Sequence, residues 1–291
     1  MKNKNIVKKI SKKSLQKKHK KSKEELKLLN KRYFLEEYIA DGGLSTVYKA
    51  TDIYCEYFND KSNMVIKIPT KELLKKKDIA AFVYAEYTFL KKLNHDNIVK
   101  VFDFGIDEKS NIPYLVLKHI EGPLLSELST LEMNNKFKNL LFKKLYLTLR
   151  YIHSKNIIHA DINPSNIIIS DNNPIIFDFG ISQNIEQNKE FILEYKKVKA
   201  FNPKYSAPEV LNGKSPSIES DIFSFACLMY EIYTCEELFK ESSLELEDSS
   251  LFDLKINKIP LILRTWFISA LNINPKKRHL KINFLNLLII K

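Results

Sequence analysis

What this chain is short of narrows its class before any motif is read. Its three cysteines, Cys55, Cys227 and Cys235, are an odd number with no CxxC pair and no histidine pair at zinc spacing. That excludes a disulfide framework and points to a reducing compartment. No secretory leader is expected, because the first apolar pair, Ile6 and Val7, is followed at once by lysines. No uncharged apolar run approaches about 18 residues, so no membrane-spanning helix is expected. Six glycines and one tryptophan stand against abundant lysine, asparagine and isoleucine, a bias of an AT-rich genome that says little about chemistry.

What is present suits a globular chain: 291 residues, 44% hydrophobic and 28% charged, enough for one large domain or two lobes with a proper core. The formal charge of +12 is confined to one end. Residues 1–32 hold 14 basic side chains against Glu24 and Glu25, and the rest of the chain carries 33 of each sign. The body is therefore neutral and not a basic platform for nucleic acid. The run KKISKKSLQKKHKKSK reads as a solvated arm, with a nuclear-import signal, an RNA or ribosome contact or an anionic-membrane contact as the sharper alternatives.

After this tail, RYFLEEYIADGGLSTVYKATDIYCEYF alternates around a glycine pair and predicts two strands joined by a turn. The polar insert NDKSN leads to a third strand, MVIKIP. A helix is expected from about Lys71 to Leu93, then two strands in IVKVFDFGI and YLVLKHI. A mostly helical half begins near Leu124, broken only by short strands around residues 157 to 181. The expected fold is α+β and bilobal: a tail at 1–32, a small β-rich lobe with one main helix at 33–121, and a larger helical lobe at 122–291.

Two features of this pattern ask for chemistry. The apolar face of the helix runs through Ile79, Phe82, Val83, Leu90 and Leu93, and Glu86 falls on it; Lys67 is a second charge inside an apolar strand. Either the two pair, or each reaches solvent past its apolar neighbours. In IIHADINPSNIII, Asp161 and Asn166 stand five apart between apolar runs, and Pro164 forbids a continuous helix. That loop is either a polar hairpin turn or the seat of a ligand, a metal or a reaction.

Taken together these segments resemble the eukaryotic-type protein kinase family, of the serine/threonine sort, over residues 33 to 285. VIK ending at Lys67, with Glu86 nineteen residues on in EYTFLKKLNHDNIV, is similar to the family's lysine and helix glutamate that orient ATP phosphates. HADINPSN resembles the catalytic loop. The resemblance implies that Asp161 is the base accepting the proton of the attacking hydroxyl, that Asn166 is a magnesium ligand and that Asp178 of an intact DFG is the main one. It makes His159 structural.

The same resemblance implies ATP and Mg²⁺ as cofactors and a protein as substrate. The phosphate-covering loop is a thin match: the family's three glycines fall at Ala40, Gly42 and Ser45, with Asp41, Gly43 and Val47 completing the segment. Adenine is expected against YLVLKHIEG, with Leu117 at the back and backbone groups of Lys118 to Ile120 on its edge. Val65 takes the roof position usually held by alanine, which implies a tighter pocket. Ala207 to Glu209 resembles APE, its glutamate pairing with Arg278, and Asp221 resembles the aspartate that anchors the catalytic loop. These three features separate protein kinases from small-molecule kinases.

Departures bear on control and rate. Ala160 stands where an arginine usually grips a phosphorylated segment, so control through that arginine is not expected. Ser182, Tyr195, Tyr205 and Ser206 remain as hydroxyls in the segment. Asn163 and Asn202 stand where the family places a lysine and a threonine whose side chains meet near the substrate hydroxyl, and losing that cation is expected to lower activity. The reading is an active serine/threonine kinase, with a nucleotide-binding scaffold and a small-molecule kinase as alternatives. The cytoplasm is the expected location, or the nucleus if the tail directs import.

Overall fold

The computed structural model describes residues 28–59, 63–185, 201–245, 255–279 and 281–282. The chain divides into two compact units. One holds residues 28–84 and 101–119, the other residues 85–100 and those from 120 onward. The expected tail (apart from its last residues), the centre of NDKSN, Tyr195 and most of the closing segment INFLNLLII lie outside the described residues.

The first unit is a six-stranded antiparallel sheet. Its strands are β1 (Leu28–Leu29), β2 (Tyr33–Asp41), β3 (Ser45–Asp52), β4 (Met64–Pro69), β5 (Val101–Ile106) and β6 (Pro113–Lys118), in the order β1-β2-β3-β4-β6-β5. Alternation puts Leu35, Ala50, Met64, Ile66 and Val116 on one face, where they bury against Leu29, Tyr33 and Tyr114. The polar edge of that core is satisfied: Tyr33 donates to Asp103 at 2.8 Å, and Arg32 binds Asp52 through Nε and Nη2 at 3.0 and 2.8 Å. Gly105 is required by Tyr114, since a Cβ there would sit 2.4 Å from the tyrosine oxygen.

Two expectations about this region need correcting. The strand expected to run through IYCEYF ends at Asp52, and α1 (Ile53–Tyr57) follows. Asp52 is the N-cap, its Oδ1 accepting from Tyr54 N at 2.9 Å, and a capping carboxylate outweighs the β propensity of the residues after it. The main helix, α2 (Ile79–Lys92), starts eight residues later than expected. Only a 3-10 turn, Leu73–Lys75, precedes it, because the charge-dense KELLKKKD lacks the apolar spacing that begins at Ile79.

The second unit is built on α3 (Asn135–Ser154), α5 (Ile218–Thr234) and α6 (Arg264–Ala270), with α4 (Pro208–Leu211) short. Asn134 caps α3 by accepting from Phe137 N at 2.8 Å, and Ser217 and Ser220 form a capping box on α5. Phe142 is fully buried among aromatic rings, with those of Phe225 and Trp266 each 5.4 Å away. Four short strands lie between α3 and α4: β7 (Ile157–Ile158), β8 (Ile167–Ser170), β9 (Asn173–Ile176) and β10 (Gln183–Asn184). β8 pairs with β9 and β7 with β10, both antiparallel. The segment after α2 joins this unit, Val99 N donating to Ile176 O at 3.0 Å and Ile176 N to Asn97 O at 2.9 Å. Gly122, at φ +142°, opens the unit where a Cβ would lie 2.1 Å from Ile169 O.

Candidate active site

The loop between β7 and β8 is fixed from beneath by one buried carboxylate. Asp221, in the first turn of α5, accepts from His159 N at 2.8 Å and from Ala160 N at 2.9 Å. The same carboxylate takes His153 Nε2 at 2.9 Å. Ala160 is thereby held at φ +70°, a left-handed backbone that a residue with a β-carbon adopts only when its surroundings enforce it. His159 is fully buried, with its ring 4.6 Å from that of Phe179. Its Nε2 donates to Phe177 O at 3.3 Å and its Nδ1 accepts from Asp161 N at 3.2 Å, which fixes the tautomer. Burial pushes its imidazole below the usual histidine value, so it packs as a neutral ring.

On this frame the loop presents Asp161. Its Oδ1 accepts from Asn163 Nδ2 at 2.8 Å and its Oδ2 from Asn166 Nδ2 at 2.6 Å. Asn163 also caps the following turn, Pro164–Asn166, its Oδ1 accepting from Ser165 N at 2.9 Å. Burial, and then the negative charge of Asp178, push the Asp161 carboxyl up to about 6, against hydrogen bonds from Asn163 and Asn166 and from the backbone of Asn202. Asp178 follows β9 at φ +62°, with Gly180 N donating to its Oδ1 at 3.3 Å.

The donor set fits a magnesium ion. Asn166 turns its amide nitrogen to Asp161, which leaves the amide oxygen as the other end of the same group. With the Asp178 carboxylate this supplies two hard oxygen donors. Asp178 raises the Asp161 carboxyl through its negative charge, a repulsion that a cation between the loops would offset. Among the described residues no three His, Cys, Asp or Glu side chains are grouped so as to hold a metal ion. Mg²⁺ tolerates such a sparse site because it keeps waters and takes phosphate oxygens from its substrate.

The expected nucleotide residues are distributed over both units. In the first, Ala40 and Asp41 end β2, Gly42 and Gly43 form the turn with Gly42 N donating to Ser45 O at 2.7 Å, and Ser45 begins β3. Val47 pairs with Lys67, and Val65 with Leu117, so adjacent strands bring these four into neighbouring rows. Val65, Lys67 and Leu117 are buried and Lys118 is exposed. Glu86 and Ile120 belong to the second unit, Glu86 lying on the buried face of α2 at 3% exposure.

Asn163 and Asn202, which stand where the family places a lysine and a threonine that meet, are each taken up locally, Asn163 by Asp161 and Ser165, and Asn202 Oδ1 by Lys204 N at 3.2 Å. A carboxamide is too short to reach where a lysine would and bonds locally. The Ser182 and Tyr205 hydroxyls of the segment are also committed. Ser182 Oγ donates to His159 O at 3.0 Å, Tyr205 donates to Glu231 at 2.5 Å, and Ser206 is buried, its carbonyl accepting from Ser243 Oγ. The sequence reading missed His153 as the third donor to Asp221; its place in YIHSKNIIHAD was the available signal.

Further back, Glu209 and Arg278 form a buried bidentate pair at 2.6 and 3.0 Å. Arg278 also donates to the carbonyls of Asn272, Glu219 and Ile273.

Comparison with known proteins follows this geometry. The chain is 27% identical over 271 residues to a probable serine/threonine-protein kinase of Clostridium acetobutylicum, covering 88% of this chain and 39% of that protein. It is 29% identical over 220 residues to the serine/threonine-protein kinase PknB of Mycobacterium tuberculosis, covering 74% of this chain and 34% of PknB. An SNF1-like protein kinase of Schizosaccharomyces pombe is 30% identical over 201 residues, covering 68% of this chain and 33% of that protein. The chain thus spans about a third to two fifths of the length of these relatives. The sequence pattern of the protein kinase domain matches residues 33–282, and the chain belongs to the protein kinase domain family.

Proposed function

We propose that this chain is an ATP- and Mg²⁺-dependent protein kinase that phosphorylates serine or threonine hydroxyls of a protein substrate. The observation that carries this reading is the Asp161 carboxylate, held on both oxygens by Asn163 and Asn166 in a loop that also faces Asp178. A carboxylate so oriented takes the proton of a substrate hydroxyl as its oxygen attacks phosphorus. Asn166 and Asp178 would hold the magnesium ion, which when bound neutralises charge on the transferred phosphate. Lys67 and Glu86 have the roles of orienting the ATP phosphates, and Val65 and Leu117 line the adenine site.

The buried Glu209–Arg278 pair favours a protein kinase over a small-molecule kinase, as the sequence reading argued. With alanine at 160 and the Ser182 and Tyr205 hydroxyls bonded internally, the site is not controlled through an arginine at that position. Asn163, turned in to the base, lends no cation to the transferred phosphate, and lower turnover is the consequence rather than silence.

The test is γ-phosphate transfer from ATP with Mg²⁺ to a generic basic protein, with Asp161→Ala as control. Incorporation into serine or threonine that vanishes in the control supports the reading. ATP binding without any transfer would replace it with a nucleotide-binding scaffold.

A further inference from the structure

Lys138 and Cys235 meet in the helical unit, and neither takes part in the chemistry above. Lys138 sits in the first turn of α3 at 5% exposure, and its Nζ lies 3.1 Å from Cys235 Sγ. Among the described residues no carboxylate lies within ion-pair distance of that amine, and the sulfur is its one hydrogen-bond partner. Sulfur is a weak acceptor, so a buried amine gains little from it and the juxtaposition is not explained by stability.

The cysteine is unusual in its own right. It caps α5 at φ +60°, a position that glycine or asparagine fills at least cost, and its Sγ lies 3.3 Å from Thr130 O. Cys227 is a different kind of thiol, fully buried in α5 and pushed up by that burial. Cys235 is only partly covered, which gives a small oxidant access to the pair.

We propose that Lys138 and Cys235 are a modification site at which one oxygen atom from dioxygen is inserted between Nζ and Sγ. After Nζ gives its ammonium proton to solvent, the amine and the thiol each lose one hydrogen and two electrons. Dioxygen takes all four electrons: one oxygen becomes the N–O–S bridge and the other leaves as water with the two hydrogens. The 3.1 Å contact suits this product better than a direct N–S bond, since a bridging atom needs far less approach of the two backbones. The link ties residues 97 apart and joins the start of α3 to the end of α5, whose first turn carries Asp221. A closure of that length restrains the unfolded chain and raises thermal stability.

The experiment uses the full chain, purified with dithiothreitol, exchanged into air-saturated buffer and digested without reductant for mass spectrometry. The expected result is a linked peptide pair joining Lys138 to Cys235, heavier than its parts by one oxygen less two hydrogens, and lost with excess dithiothreitol. The oxidised protein should melt several degrees above the reduced one. Cys235→Ser and Lys138→Gln should both lack the link and the difference in melting, and the wild-type digest decides the matter even if either variant folds poorly. Cys235 recovered only as thiol, disulfide or sulfur oxyacid beside unmodified Lys138 overturns the proposal. So does a linked pair lighter by two hydrogens without added oxygen, which would be a sulfenamide.

Discussion

Asp161 is held against its own solvation. Burial and Asp178 lift its carboxyl from 3.8 to about 6, so in the folded chain it keeps its proton at pH values where the unfolded chain has lost it. The sign follows: the fold has its full stability from this group below the unfolded value and loses it as pH rises through the folded one. In metal-free, nucleotide-free buffer, Asp161→Asn should therefore be more stable than the parent near pH 8, by on the order of 2 kcal/mol, with the gap closing toward pH 4. Urea unfolding of both proteins at the two pH values checks this, and equal stability near pH 8 contradicts it. The same replacement removes the base and should lower phosphate transfer by about 10²- to 10⁴-fold. Asn163 invites a milder test. Asn163→Ala deletes the donor to Asp161 Oδ1 and the cap on Ser165 N, and should cut kcat by roughly tenfold while ATP affinity by titration barely moves.

At the scale of elements, the buried pair joining α4 to the chain after α6 is costly to break. Arg278 is fully covered and Glu209 nearly so, and every donor of the guanidinium is used. Arg278→Met leaves a buried carboxylate without its partner and should cost about 3–5 kcal/mol. Replacing both, Glu209→Leu with Arg278→Met, should recover much of that loss in denaturant unfolding; a double variant as weak as the single one would show that the carbonyl bonds of Arg278 matter more. Gly122→Ala is the backbone counterpart, placing a Cβ 2.1 Å from Ile169 O at a φ that alanine resists. It should lower the melting temperature by several degrees. The succession of strands β2 to β6 along the chain and the buried face of α2 were legible in the sequence, because period-two and helical spacing report them directly, whereas their neighbours in the sheet were not. The starts of α1 and α2 were not. They depend on a capping bond from Asp52 and on where apolar spacing resumes after a charged run, and both are settled by local competition that periodicity does not see.

For the molecule as a whole, the charge is segregated: the excess of basic residues lies in 1–32, and the rest is balanced. Deleting residues 1–27, which leaves β1 and Arg32 in place, should abolish binding to heparin or to anionic vesicles, and the binding of the full chain should fall steeply with salt; binding that survives deletion would move the contact to the folded body. No described helix is long and apolar enough to cross a membrane. The candidate site was legible as a set of residue types, since the loop, the DFG and the lysine announce themselves by spacing. What spacing did not carry was the direction of bonds: that Asn163 turns inward, that His153 shares Asp221, that Ser182 is spoken for. Within the loop Asp221 grips the backbone amides of residues 159 and 160, and these two bonds do not depend on which side chain position 160 bears. An arginine or an alanine there leaves the same two amide bonds to Asp221 in place. Control through position 160 and the seating of the base are thus separable features of one loop.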